Sequence, residues 1–203
     1  MSIDPKYLIE VIPRGNGWAL DLGGGRGGMR APICKLGYRY VNLDIKRFDN
    51  GEPSIVGSAH TLPFQSDVFD LVISKDSLEH FLDPWVTVAE VHRVLKPRGL
   101  FVIWVPFLHP FHGDDTYRYS PLGLQYILRD FAIIRFESPL WAFTVVGMAV
   151  ISLLKQLRLG VLERSVRSIC AWMDSLFMKR ATRPMSFAAA YRVVAVKEGV
   201  HRE

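Results

Sequence analysis

Asp21-Leu22-Gly23-Gly24-Gly25-Arg26-Gly27-Gly28 continues directly from the compact apolar run Trp18-Ala19-Leu20-Asp21-Leu22. A short buried strand that ends in glycines is how an α/β sheet passes its chain to a helix. The turn is sharp, φ is often positive, and a missing side chain lets the backbone touch a ligand. Gly23, Gly25 and Gly27 satisfy G-x-G-x-G, while Gly23, Gly25 and Gly28 satisfy G-x-G-x-x-G, so the glycines alone do not name that ligand. Asp44, 19 residues beyond Gly25 at the end of the next apolar run, is placed to accept hydrogen bonds from ribose hydroxyls. Glycines and acid together favour an adenosine ligand.

Working outward, Asp4-Pro5 predicts a helix start and a short helix to Ile12. Further apolar runs at Tyr40–Ile45, Ser54–Gly57, Phe69–Ser74 and Gly99–Val105 read as strands, with a helix over Pro84–Leu95 between the last two. Strands alternating with helices predict a mostly parallel sheet. After Pro106 a polar, aromatic loop from His109 to Tyr119 leads to a helix that Ser120-Pro121 caps and that runs to about Asp130. A strand at Ala132–Phe136, helices over Trp141–Leu157 and Leu162–Lys179, and a last strand over Ala189–Val196 complete one expected domain, 1–203, with a helical insertion at about 139–183.

Composition narrows the classes. A 49% hydrophobic fraction with 22% charged residues excludes an intrinsically disordered chain. Cys34 and Cys170 have neither a paired zinc-ligand spacing nor a disulfide framework, so no metal is expected, and the thiols read as reduced in a cytoplasmic protein. The first residues lack the basic-then-apolar order of a secretory signal. No segment reaches the roughly 20 apolar residues of a membrane span.

The rest of the pattern separates a nicotinamide site from other adenosine sites. Asp21, an acid directly before the turn, would repel a pyrophosphate but suits a ligand carrying ammonium or sulfonium charge. No Tyr-x-x-x-Lys pair follows, since Pro121 and Gly123 stand four places after Tyr117 and Tyr119. Ala19–Gly27, Leu62-Pro63-Phe64, Phe69-Asp70-Leu71-Val72, Leu78-Glu79-His80 and Arg93–Gly99 resemble, in order and spacing, the class I S-adenosylmethionine-dependent methyltransferases of the type 11-like group. The resemblance covers about residues 18–106 and implies a Rossmann-like α/β fold. Its seven-stranded, mostly parallel sheet would have helices on both faces, an antiparallel last strand and the helical insertion before it. It implies that Gly23, Gly25 and Gly27 pass under the methionine part of S-adenosylmethionine, with Asp21 near its ammonium and Asp44 on the ribose. Ser58-Ala59 would stand at the adenine, where many relatives have Asp-Ala. Ser74, with Lys75, would border the methyl group through its backbone, and Asp70 reads as a structural acid.

Methyl transfer needs an aligned acceptor and, for a hydroxyl, a base. His80 follows the fourth strand; His112 with Asp114 or Asp115 forms a base with its orienting acid in the loop after the fifth. The opposing reading of that loop is one that orders itself through Asp115 and Arg118. The loop also resembles one in methyltransferases of bacterial polysaccharide and glycolipid synthesis, which implies a small-molecule or lipid-linked acceptor such as a sugar hydroxyl. A non-catalytic, cofactor-binding scaffold is the alternative. Nucleic acid is disfavoured, because Ser74-Lys75-Asp76-Ser77 stands where an amino-methylating enzyme carries Asn-Pro-Pro-Tyr.

Residues 1–110 hold 12 basic and 12 acidic side chains, so the net charge of +5 comes from the second half. Between Lys155 and Arg183 seven basic residues face two acidic ones, beside an apolar segment from Trp141 to Ile151. That combination fits a peripheral contact with an anionic membrane. The other reading is a helical pair that covers the sheet edge with its apolar faces and leaves its charges solvated.

Overall fold

The computed structural model describes residues 4–110, 113–158, 160–177 and 187–199. In chain order its elements are α1 (Lys6–Ile9), β1 (Trp18–Leu22), α2 (Arg30–Lys35), β2 (Arg39–Asp44), β3 (Ile55–Val56) and β4 (Phe69–Lys75). The 3-10 turn Leu78–His80 follows, then α3 (Pro84–Val94), β5 (Leu95–Pro106), α4 (Pro121–Ile127) and β6 (Ala132–Glu137). Helix α5 (Ala142–Gln156), a 3-10 turn at Gly160–Leu162, α6 (Glu163–Phe177) and β7 (Ala190–Val196) end it. Among the described residues the seven strands form one sheet in the order β3-β2-β1-β4-β5-β7-β6. The first five pair in parallel and β7 runs antiparallel to both β5 and β6, as the resemblance implies.

Two apolar layers cover the sheet. On one face Val88, Val91 and Val94 of α3 and Leu124 and Ile127 of α4 pack on Leu20, Val72 and Phe101. On the other, Leu8 of α1, Ile33 of α2 and Met148 of α5 pack on Ala19, Leu71 and Trp104. Burial on both sides explains why β1, β4 and β5 read as continuous apolar runs. Side chains also account for two of the sequence motifs. The Arg93 guanidinium donates to the Phe64 carbonyl at 2.8 Å and to the Leu62 carbonyl at 3.0 Å, tying the Leu62-Pro63-Phe64 turn to the end of α3. Asp70 accepts from the Trp18 N–H at 2.9 Å and from Lys96, so it fixes the entry of β1 at the end remote from the glycine turn.

The sheet reverses its winding between β1 and β4, because β1 has β2 on one side and β4 on the other. Ligands of open α/β sheets bind beyond the carboxyl ends of the strands at such a point. The glycine turn, Asp44 and the turn after β4 all lie there.

Between β6 and β7, α6 packs chiefly against α5. The only residue of α6 buried from solvent is Asp174. Its carboxylate accepts from the N–H groups of Trp141, Phe143 and Thr144 and from the Thr144 hydroxyl, capping α5 from a neighbouring helix. Of the residues that recur at helical spacing in this stretch, Leu162, Ile169, Leu176 and Phe177 are exposed and Val166 and Met173 are half-buried, so most of that face is left uncovered. No described helix is long and apolar enough to cross a membrane.

Candidate functional site

The glycine turn is built by close approach. Gly23, Gly25 and Gly27 all have positive φ, at 69°, 53° and 75°, which a side chain would oppose. Gly24, which has ordinary φ, is needed for space: a Cβ there would lie 2.4 Å from Asp21 Oδ2 and 2.5 Å from Asn42 Oδ1. Beneath the turn the Asn42 amide donates to the Gly25 carbonyl at 2.9 Å and to Glu52 at 3.0 Å, and Glu52 is paired with Arg30. Asp44 anchors the turn from the front. Its Oδ2 accepts from the Gly25 N–H and its Oδ1 from the Lys46 N–H, each at 3.0 Å.

Two cavities meet at the turn and share Gly23 and Asp76 in their walls. The larger, about 500 Å³, is lined by Asp44, Phe48, Ser58, Ala59, His60, His80 and Asp114 among others. The smaller, about 430 Å³, is lined by Asp21, Gly24, Gly25, Arg26, Gly28 and Lys75 among others. Both fall within the roughly 300–1,000 Å³ typical of small-molecule sites.

Not every residue picked from sequence reaches these walls. Ser74 is fully buried with its hydroxyl 2.7 Å from that of Ser77, because strand alternation turns it into the core, and Lys75 and Asp76 form the lining instead. Gly27 faces backwards, where a Cβ would sit 3.0 Å from Glu52. Ser58 Oγ accepts from the His60 N–H at 3.2 Å. Asp21 is buried and accepts from the Tyr40 hydroxyl, and burial pushes its carboxyl up to about 6 against the bonding pull of Tyr40.

The loop after β5 is clamped onto the 3-10 turn. The N–H groups of Thr116 and Tyr117 donate to the Glu79 carbonyl, and the Tyr119 hydroxyl donates to the Leu78 carbonyl. Asp115 is thereby brought to His80, with Oδ1 3.2 Å from Nδ1. Its other oxygen accepts from Arg118. Gly113 lies over the exposed ring edge, where a Cβ would be 3.3 Å from His80 Cε1. His112 lies outside the described residues, so of the expected catalytic groups the structure joins His80 and Asp115. It also joins Asp115 to Arg118, the pairing of the opposing reading.

Sequence reasoning missed Gly24, Asn42 and Glu79. Asn42 gave a signal, a polar residue inside an apolar strand. Glu79 is fully buried beside His80, and desolvation pushes its carboxyl up to about 8. Oxygen and nitrogen atoms of Glu79, His80 and Asp115 lie within 4.8 Å of one another, a grouping with metal-ligand chemistry. Asp115 is paired with Arg118, and burial pushes the Glu79 carboxyl up to about 8, so the cluster can hold an exchangeable proton beside His80 near neutral pH.

The site fits a charged adenosyl ligand. Asp21 Oδ1, at the smaller cavity, is buried without a hydrogen-bond partner among the described residues, an acceptor for an ammonium group. A Cβ at Gly28 would meet nothing, which leaves room for a ligand over the backbone. Asp44 keeps free lone pairs on both oxygens toward the larger cavity.

Residues 20–103 match the family model described as a methyltransferase domain. An uncharacterized methyltransferase of Mycobacterium sp. (strain KMS) is 34% identical over 120 residues, covering 55% of this chain and 47% of that protein. The chain thus spans about half the length of the curated relatives it matches. Among solved structures, an S-adenosylmethionine-dependent methyltransferase from Mesorhizobium loti aligns over 94% of this chain and 96% of its own, with TM-score 0.61 and 17% identity. Haemonchus contortus phosphoethanolamine N-methyltransferase 2, in complex with S-adenosyl-L-methionine, aligns over 96% and 52% with TM-score 0.63 and 16% identity. The fold is that of the Rossmann-like class I methyltransferases.

Proposed function

We propose that the protein transfers a methyl group from S-adenosylmethionine to a hydroxyl of a small-molecule or lipid-linked acceptor, a sugar hydroxyl among them. The observation that carries this reading is that Asp44, the ribose acid, and His80, a base with its orienting acid, line one cavity. Bound there, the cofactor supplies a methyl group made electrophilic by its sulfonium. Asp44 would accept from the ribose hydroxyls, Ser58 and Ala59 would flank the adenine, and Asp21 would face the ammonium across Gly23 and Gly25.

In this reading the proton of His80 is held on Nδ1, 3.2 Å from Asp115 Oδ1, and Nε2 is the proton acceptor. As the acceptor oxygen gains the methyl group, its proton passes to Nε2, and Asp115 stabilises the resulting imidazolium. Arg118 holds Asp115 in place through its second oxygen, a positioning role. Neutral Glu79 adds no second anion beside Asp115 at pH 7. A base set beside the cofactor cavity favours turnover over a purely scaffolding role.

The test is incubation with methyl-labelled S-adenosylmethionine and fractionated cell extract. Label should enter an alkali-stable ether. His80→Gln should lower the rate by about 10²–10⁴ while S-adenosylhomocysteine binding is retained. Full transfer by that variant would remove His80 from the mechanism.

A further inference from the structure

Helices α5 and α6 form a built hairpin. Asp174 of α6 caps α5, Phe143 and Phe177 meet with ring centroids 5.4 Å apart, and Glu163 pairs with Lys155 across the turn and with Arg167 along α6. The helices approach closely at Gly147, where a Cβ would lie 2.5 Å from Cys170 Sγ. The inward side of α5 is Gly147, Met148 and Ile151.

The outward sides are apolar as well. Val146, Val150, Leu153 and Leu157 recur at intervals of four, three and four, one stripe along α5, and all are exposed. Leu162, Ile169, Trp172 and Leu176 recur at seven, three and four along the turn and α6, also exposed, with Trp172 at 62%. Eight large apolar side chains in water on two adjoining helices mark a surface that something covers.

Charge identifies the cover. Arg158 and Arg164 flank the turn and have no acid partner among the described residues, and from Lys155 to Phe177 four basic residues stand against two acidic ones while the first 110 residues are neutral. The 15 residues of α5 extend about 22 Å, short of the roughly 30 Å hydrocarbon core. We infer that this hairpin is a monotopic anchor. It lies in the plane of an anionic phospholipid leaflet, its apolar stripes among the acyl chains and its arginines in the headgroup layer. The anchor does not depend on the methyltransferase reading; joined to that reading, it means that the acceptor is met at the bilayer surface.

Flotation of the whole protein with vesicles tests it. The protein should rise with vesicles of phosphatidylcholine mixed with phosphatidylglycerol, less so at high salt, and should remain behind with phosphatidylcholine alone. Arg158→Gln with Arg164→Gln should weaken binding to mixed vesicles by about thirtyfold. Leu153→Asp with Trp172→Asp, both at exposed positions, should abolish it. All variants should keep wild-type calorimetric binding of S-adenosylhomocysteine, which separates the anchor from the cofactor site. A wild-type protein that ignores mixed vesicles would overturn the inference. So would a dimer in sedimentation equilibrium that Trp172→Asp dissociates, since the stripes would then join two copies of the chain.

Discussion

Asp44→Ala separates a ligand-binding acid from one that only shapes a loop. Asp44 makes two bonds within the protein, to the N–H groups of Gly25 and Lys46, each at 3.0 Å. At a half-buried position each contributes about 1 kcal/mol, so their loss should lower stability by about 2 kcal/mol. The ribose adds two hydroxyl donors to the same carboxylate. Hydrogen bonds to a charged acceptor contribute about 1.5–3 kcal/mol each, so the variant should lose about 3–6 kcal/mol of binding, roughly 10²–10⁴ in Kd. Asp44→Asn keeps one acceptor oxygen and turns an amide donor toward a backbone N–H. It should bind with an affinity between the two. Isothermal titration with S-adenosylhomocysteine reads the affinity and urea unfolding reads the stability. If Asp44→Ala lost stability but bound the ligand within about threefold of wild type, the acid would serve the turn alone and the ribose assignment would be wrong.

Three further outcomes follow from the same geometry. Gly24→Ala should lower stability by about 1–3 kcal/mol by forcing Asp21 and Asn42 apart, whereas Gly28→Ala, with open space around it, should be neutral or slightly stabilising in differential scanning calorimetry. Asp21 must be ionised to pair with an ammonium group, and its carboxyl is pushed up to about 6. Affinity for S-adenosylhomocysteine should therefore be level above about pH 7 and fall by up to about tenfold per pH unit below about 6, with Asp21→Asn weak and flat across that range. Glu79 holds its proton up to about pH 8 when folded but releases it near the ordinary 4.5 when unfolded, so its contribution to stability is fully present below about 4.5 and is lost as pH rises toward 8. That contribution to the slope in urea unfolding should reach about 1.4 kcal/mol per pH unit, and Glu79→Gln should remove it between about pH 6 and 8, above the range where Asp21 adds a slope of its own.

The parallel strands were legible because burial on both faces makes them apolar runs bounded by turns. Helix α3 was legible in extent but not in facing, because its valines do not keep to one side: Val88, Val91 and Val94 are buried while Val86 is exposed. The glycine turn announced itself through its residue types, yet only the folded structure distinguishes Gly24, excluded from carrying a side chain by Asp21, from Gly28, which has space. The pairing of His80 with Asp115 spans 35 residues and depends on a loop held by backbone bonds to Glu79, which no local pattern encodes. The period of α6 correctly gave a helix but not its surroundings. An apolar stripe reads the same whether a sheet, a second chain or a bilayer is to cover it.

The most direct test of the central claim is a crystal structure of the protein with S-adenosylhomocysteine. The account predicts the ribose hydroxyls on Asp44, the adenine beside Ser58 and Ala59, and the amino group toward Asp21, with the sulfur opening toward His80. A ligand lodged elsewhere, or a ribose out of hydrogen-bonding reach of Asp44, would contradict it.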